Sequence, residues 1–237
     1  MKIIILVLFF ILIIPQILAW NWETHKEIVN KLYYSSPYEL QSRLDLDLLQ
    51  QGSIAPDKDF HDNVLHHFPS TYNKTLYWLN QTEYYISINN YQNASYSFGV
   101  ATHYISDSFV APHSITGEDY KLHAKFEKSP IPIKIKCEKN KYNLLEDLEK
   151  AALNSKDWEI WVKNQTTEIP EKELEQAMQL VFPLFLDTFN TTCEERTTII
   201  KEENFQIGNK TKNYIIFLIL FFIGNIRIKS FSRLIDH

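Results

Sequence analysis

Apolar side chains recur at three- and four-residue steps through "ETHKEIVNKLYY" (23–34), "SYSFGVATHYISDSFV" (95–110), "NLLEDLEKAALNS" (143–155) and "EKELEQAMQLVFPLFLDTF" (171–189). That period stacks the apolar positions on one face of an α-helix. Glu171 following Pro170 predicts a helix start. Pro183 predicts a bend in the same helix, because proline donates no backbone hydrogen bond and its ring crowds the preceding turn. Only "IPIKIKC" (131–137) alternates like a strand, and its prolines make it an extended connector instead. The pattern predicts an all-α fold: a single multi-helix domain over residues 20–205.

The two ends read differently. Lys2, the apolar run "IIILVLFFILII" and "PQILA" predict a signal peptide over residues 1–19. Twelve apolar residues rise only about 18 Å as a helix, short of a hydrocarbon layer of roughly 30 Å, so a cleaved leader is favoured over an uncleaved anchor. Cleavage after Ala19 makes Trp20 the new N-terminus. Near the other end, "YIIFLILFFIGNIRI" (214–228) is apolar from Tyr214 to Ile226 apart from Gly224 and Asn225, without a polar stripe, and Arg227, Lys229 and Arg233 supply basic charge after the run. It predicts a membrane anchor with a short basic tail over 229–237 and the domain outside, the alternative being a core or surface helix.

A chain of 237 residues has room for one domain with appendages. Its net charge of −5 and low glycine content give no electrostatic footprint for duplex nucleic acid, although short single strands stay open. Asn-x-Ser/Thr triplets begin at Asn73, Asn80, Asn93, Asn164, Asn190 and Asn209, in keeping with export. The two cysteines, Cys137 and Cys193, can pair outside the cytosol or stay apart; the sequence leaves both open.

The candidate chemistry lies in "HYISDSFVAPH" (103–113) and "HAKFE" (123–127). His103 and Asp107, then His123 and Glu127, each stand four residues apart, on one face of a helix. A single histidine is more often a surface or core residue than a ligand, and a lone His-x3-Asp is weak. The combination with His113 mixes imidazole and carboxylate without thiolate, which suits zinc in a catalytic site. Pro112 drives Ala111 out of the α region, so the helix bearing His103 and Asp107 should end before His113 and let it turn to a second ion.

These residues resemble the bacterial zinc-dependent phospholipases C, which are related to the fungal single-strand-specific nucleases. The family signature H-Y-L-G-D followed by a proline-containing turn, His, and H-x-x-x-E stands here as His103-Tyr104-Ile105-Ser106-Asp107, Ala111-Pro112-His113, His123 and Glu127. Ser106 and Ala111 depart from the family pattern; every ligand position is kept. "GSIAPDKDF" resembles the segment supplying a metal-bound aspartate, here Asp57. "LHHF" resembles the following His-Phe, which selects His67 over its neighbour His66. "AWNWETH" resembles the mature N-terminus, with Trp20 and His25.

The resemblance implies three zinc ions: one on Asp57, His67, His103 and Asp107; one on His113, His123 and Glu127; one on His25, a bridging Asp107, and the α-amino and carbonyl groups of Trp20. Leader removal matters to the third, since an amide nitrogen is no amine ligand. The implied reaction is phosphodiester hydrolysis by metal-activated water, with Asp57 as ligand and base. Glu127 in place of the nuclease branch's aspartate favours a phospholipid substrate over single-stranded nucleic acid. A noncatalytic, zinc-stabilised surface protein is the remaining alternative. The family's headgroup positions fall on Glu23, Lys58 and Val64; Lys58 disfavours choline and suits an anionic headgroup, unless it is simply solvent-exposed. Trp22, Phe60, Phe68 and Tyr72 are further aromatic candidates.

Overall fold

The computed structural model describes residues 20–61, 65–115, 117–128, 132–135, 137, 141–153 and 155–193. The expected leader (1–19), anchor (214–228) and tail, together with Val64 and Asn209, lie outside the described residues. Among the described residues no helix is long and apolar enough to cross a membrane.

The described residues are helical, with no strand among them. In chain order the elements are α1 (Trp20–Tyr34), the single turn α2 (Tyr38–Gln41), α3 (Leu46–Ala55), a π-helical turn (Pro56–Phe60), α4 (Ser70–Ser87), α5 (Tyr91–Ser108), a 3-10 turn (Ala111–Ser114), α6 (Tyr120–Glu127), α7 (Leu144–Ala151), α8 (Ser155–Asn164) and α9 (Glu168–Thr188). Short polar side chains start several of them: Asp45 accepts from Leu48 N at 3.0 Å, Asn90 from Asn93 N at 3.1 Å, and Asp119 from Lys121 N at 2.8 Å. Each satisfies a backbone donor that the first helical turn leaves unpaired.

Helix α5 is the axis of the domain, packed along α3 and α4 and touched by α1, α7 and α9. It is buried from Phe98 to Ser108, so its polar residues must be satisfied internally. Thr102 Oγ1 donates to Phe98 O at 3.0 Å and Ser108 Oγ to Tyr104 O at 2.8 Å, each bonding back one turn. Two details differ from the sequence expectation. Helix α9 begins at Glu168, ahead of Pro170, because a proline in the first turn gives up only an N–H that has no partner there, and it runs on through Pro183. The break before His113 falls at Val110, extended at ψ 111°, while Ala111 already belongs to the 3-10 turn.

Three apolar clusters hold this frame. The largest joins α1, α3, α5 and α9 around Leu32, Leu49, Phe98, Val181 and Phe185. A second seats the 3-10 turn and α6 on α8: Val110, Ala111, Phe126, Trp158 and Trp161. A third, Ala55 with Val100 and Tyr104, ties the end of α3 to α5. Cys137 and Cys193 form a disulfide spanning 56 residues, with Cα atoms 5.5 Å apart. A loop of that length constrains the unfolded chain by about 4 kcal/mol on the chain-entropy model.

One buried acid stands apart from the candidate ligands. Glu173 on α9 is 1% exposed; its Oε2 accepts from Ala111 N at 3.1 Å, whereas Oε1 has no hydrogen-bond partner among the described residues. Burial, reinforced by Asp157, pushes its pKa up to about 8. A raised carboxyl pKa stabilises the fold below the ordinary value, and that stabilisation is lost as pH rises towards 8. Glu173→Gln keeps an acceptor for Ala111 and removes the titration. Urea unfolding of both proteins at about pH 5 and 8 should therefore show the wild type losing on the order of 2–4 kcal/mol more than the variant.

Candidate metal centre

The four-residue spacing on α5 does what geometry requires: His103 and Asp107 sit on one face, His103 Nε2 3.1 Å from Asp107 Oδ2. Asp107 is 3% exposed and is the hub. Its Oδ1 lies 3.1 Å from His25 Nε2 on α1, and its Oδ2 lies 2.8 Å from His66 Nδ1 and 3.7 Å from His113 Nδ1. Asp57, on the π-helical turn after α3, brings Oδ1 to 3.5 Å from His103 Nε2 and 3.8 Å from His66 Nε2. One ligand atom from each of Asp57, His66, His103 and Asp107 lies within 4.8 Å of the others.

The second group is His113, His123 and Glu127, equally compact. Glu127 Oε1 lies 2.8 Å from His123 Nε2 and 3.3 Å from His113 Nε2. The apolar cluster beneath explains why these meet: Phe126, fully buried, packs edge-on against the stacked pair Trp158 and Trp161 at 6.0 and 5.0 Å and fixes the rotation of α6 under the 3-10 turn.

The structure corrects one expected ligand. His66 is buried and takes the inward position, whereas His67 is exposed and lies outside both groups, its ring 6.3 Å from that of His113. Consecutive residues in an irregular turn point in different directions, so only one imidazole of the pair can enter. Burial and the neighbouring His113 and His66 lower the His67 pKa. Trp20 opens α1, the helix that carries His25. At the expected headgroup positions, Glu23 is exposed and paired with Lys26 at 3.1 Å, Lys58 is exposed on the π-helical turn, and Val64 lies outside the described residues. Phe60 stacks on Trp78 at 5.7 Å, Phe68 and Tyr72 pack against the main core, and Trp22 lines the central cavity.

The donor set fits a cation. His103 Nδ1 donates to Ser53 O at 2.8 Å, which leaves Nε2 with its lone pair facing two carboxylates. That fully buried Nε2 has no hydrogen-bond partner among the described residues. Other imidazoles repeat the arrangement. His113 Nδ1 donates to Asp107 O at 3.2 Å and His123 Nδ1 to Glu118 Oε1 at 2.9 Å. His25 Nδ1 donates to Ser106 Oγ at 3.0 Å, while that hydroxyl donates to His103 O. In all four, the outer nitrogen is anchored and the inner one aims at an acid, the pattern that orients metal-ligating histidines. Ser53, Ser106 and Glu118 are invisible to motif reading, since each acts through a fold contact rather than a spacing.

Electrostatics agree. Burial alone would lower His103, but Asp107 and Asp57 outweigh it and hold its pKa at about 10; Asp107 and Glu127 hold that of His113 at about 9. Burial would raise Glu127, yet His113 and His123 bring it down to about 2; Asp107 is likewise held far below the carboxylate range by His103, His25 and His113. Positive charge is favoured between these groups, whether supplied by protons or by a metal ion.

Two adjoining cavities of about 410 and 510 Å³ open over the groups and share His66, His67, His113 and Glu118. His66→Ala is expected to cost more than about a hundredfold in zinc affinity and the activity with it, while His67→Ala keeps its zinc. Zinc titration of the two variants decides between them.

A sequence model described as zinc-dependent phospholipase C matches residues 24–185, a span containing both ligand groups and His25. No curated protein and no solved structure matches the chain.

Proposed function

The chain belongs to the zinc-dependent phospholipase C family, and from that premise we propose that it hydrolyses the phosphodiester of a membrane phospholipid, releasing the phosphorylated headgroup. The observation that carries this reading is the joining of two acid–imidazole groups through one buried carboxylate, Asp107, beneath an open cavity.

Asp57, His66, His103 and Asp107 would hold one zinc ion; His113, His123 and Glu127 a second; His25, Asp107 and a processed Trp20 terminus a third. Bound zinc supplies positive charge against the phosphate oxygens and brings a water's pKa towards neutrality. The remaining work falls to the chain. Asp57 has 21% of its side chain exposed, against 4% for Asp107, so it is the carboxylate placed to take a proton from the attacking water. Asp107, closed off from solvent, holds rather than reacts. Ser53, Ser106 and Glu118 fix imidazole tautomers so that Nε2 of each ring stays available. Exposed Lys58 beside Asp57 favours an anionic headgroup. Export, with attachment through residues 214–228, belongs to the same proposal.

A substrate panel tests it: a chromogenic phosphocholine ester, phosphatidylglycerol, phosphatidylinositol and single-stranded DNA, each with and without chelator. Lipid hydrolysis that chelation abolishes and zinc restores is expected. Hydrolysis of DNA alone would move the chain to the nuclease reading, and zinc binding without hydrolysis to the structural one.

A further inference from the structure

The second ligand group is assembled from two elements. His123 and Glu127 stand on α6, whose position is set by the Asp119 cap and by Phe126 in the apolar cluster. His113 alone comes from the short 3-10 turn, Ala111–Ser114. The group therefore closes only if that turn is held at a fixed place and tilt relative to α6. Apolar contact between Ala111 and the tryptophans of α8 seats the turn, but such contact is non-directional and leaves its tilt free. A directional hold comes from a distant helix. A helical turn leaves its first backbone donors unpaired. Here Pro112 has no N–H, the Val110 side chain provides no cap, and the Ala111 N–H donates to Glu173 Oε2 at 3.1 Å, from 62 residues away.

We propose that Glu173 is a positioning residue of the second ligand group: by accepting from Ala111 N it fixes the turn that aims His113 at His123 and Glu127, an inference that rests on the zinc reading of that group. Glu173 itself lies outside both ligand groups. An acid is a costly choice at its place. It is 1% exposed, its neighbours Leu174 and Ala177 on α9 belong to the main core, and Oε1 has no hydrogen-bond partner among the described residues. An apolar side chain of similar size would avoid the cost of desolvating the carboxyl, so packing does not account for the acid. What the acid adds is an acceptor that reaches from α9 to the turn. The ring of His113 then follows the backbone: His113 N donates to Val110 O at 2.9 Å and its Nδ1 to Asp107 O at 3.2 Å.

Two variants separate reach from charge. Glu173→Gln keeps an acceptor at the same distance and loses the acid; Glu173→Asp keeps the acid and, one methylene shorter, stops short of Ala111 N. Zinc is withdrawn from the zinc-loaded full chain by a competing chromogenic chelator, and Glu127→Gln identifies the step that belongs to the second group. Leu79→Ala, in the main core on α4, is the control for lost stability alone. In Glu173→Asp the zinc affinity of the second group should fall about tenfold or more, with Glu173→Gln and Leu79→Ala within about threefold of wild type. An unchanged Asp variant, or an equal fall in Glu173→Gln or Leu79→Ala, overturns the inference. Hydrogen exchange of the Ala111 amide needs no variant at Glu173. Chelation should speed it about tenfold beyond any change at a core amide such as that of Leu180, because the bond and the ion stabilise each other. No such extra change overturns the inference. Wild type that holds no ion in the second group removes that ion from the proposed function, and the inference with it. Wild type that holds the ion, beside an Asp variant that holds it as tightly, overturns the inference alone.

Discussion

Asp107→Asn is expected to remove at least one zinc ion and to lower turnover on a chromogenic phosphodiester by about a thousandfold or more, roughly 4 kcal/mol of barrier. The Asp107 carboxylate faces four imidazoles: His25 at 3.1 Å, His66 at 2.8 Å, His103 at 3.1 Å and His113 at 3.7 Å. The amide keeps the shape, removes the charge, and points an N–H₂ donor into a space lined by imidazoles. Because the group is buried, water cannot compensate; leaving buried charges without their counter-charge costs about 3–5 kcal/mol. Elemental analysis after dialysis and steady-state kinetics check this. A variant with full zinc content and full activity would refute the bridging role.

The second large effect comes from a residue with no chemistry. Gly99 on α5 and Gly52 on α3 stand where the two helices cross. A Cβ on Gly99 would overlap Leu49 O and lie 2.9 Å from Ser53 N; one on Gly52 would overlap Tyr96 O. These obstacles are backbone, which cannot rotate aside, so the helices would have to move apart. That movement would break the bond from His103 Nδ1 to Ser53 O and draw the Asp57-bearing turn away from α5. Gly99→Ala should therefore cost about 3 kcal/mol in urea unfolding, together with a fall in zinc affinity that a surface Gly→Ala change would not cause. Stability and affinity both at wild-type values would show that the crossing is looser than described.

The helical fold was legible because apolar spacing at three and four residues persists where burial demands it, as in α5 and α9. The pairs His103/Asp107 and His123/Glu127 were legible for the same reason, since one helical turn fixes their relation. What escaped was whatever depends on irregular backbone or on contacts distant in sequence. His66 and His67 are adjacent, and only the path of the turn decides which faces inward. Asp57 rides on a π-helical turn ended by His61 at φ 53°, a strained conformation for a non-glycine residue that no periodicity announces. Glu118 reaches His123 from a loop, and Glu173 reaches Ala111 across 62 residues.

Locating zinc by anomalous X-ray scattering at its absorption edge tests the centre most directly. Ions are expected among Asp57, His66, His103 and Asp107, and among His113, His123 and Glu127, in one cleft, at the ordinary zinc–ligand distances of about 2.0–2.3 Å. Anomalous signal only at surface sites, or none from zinc-loaded protein, would contradict that placement.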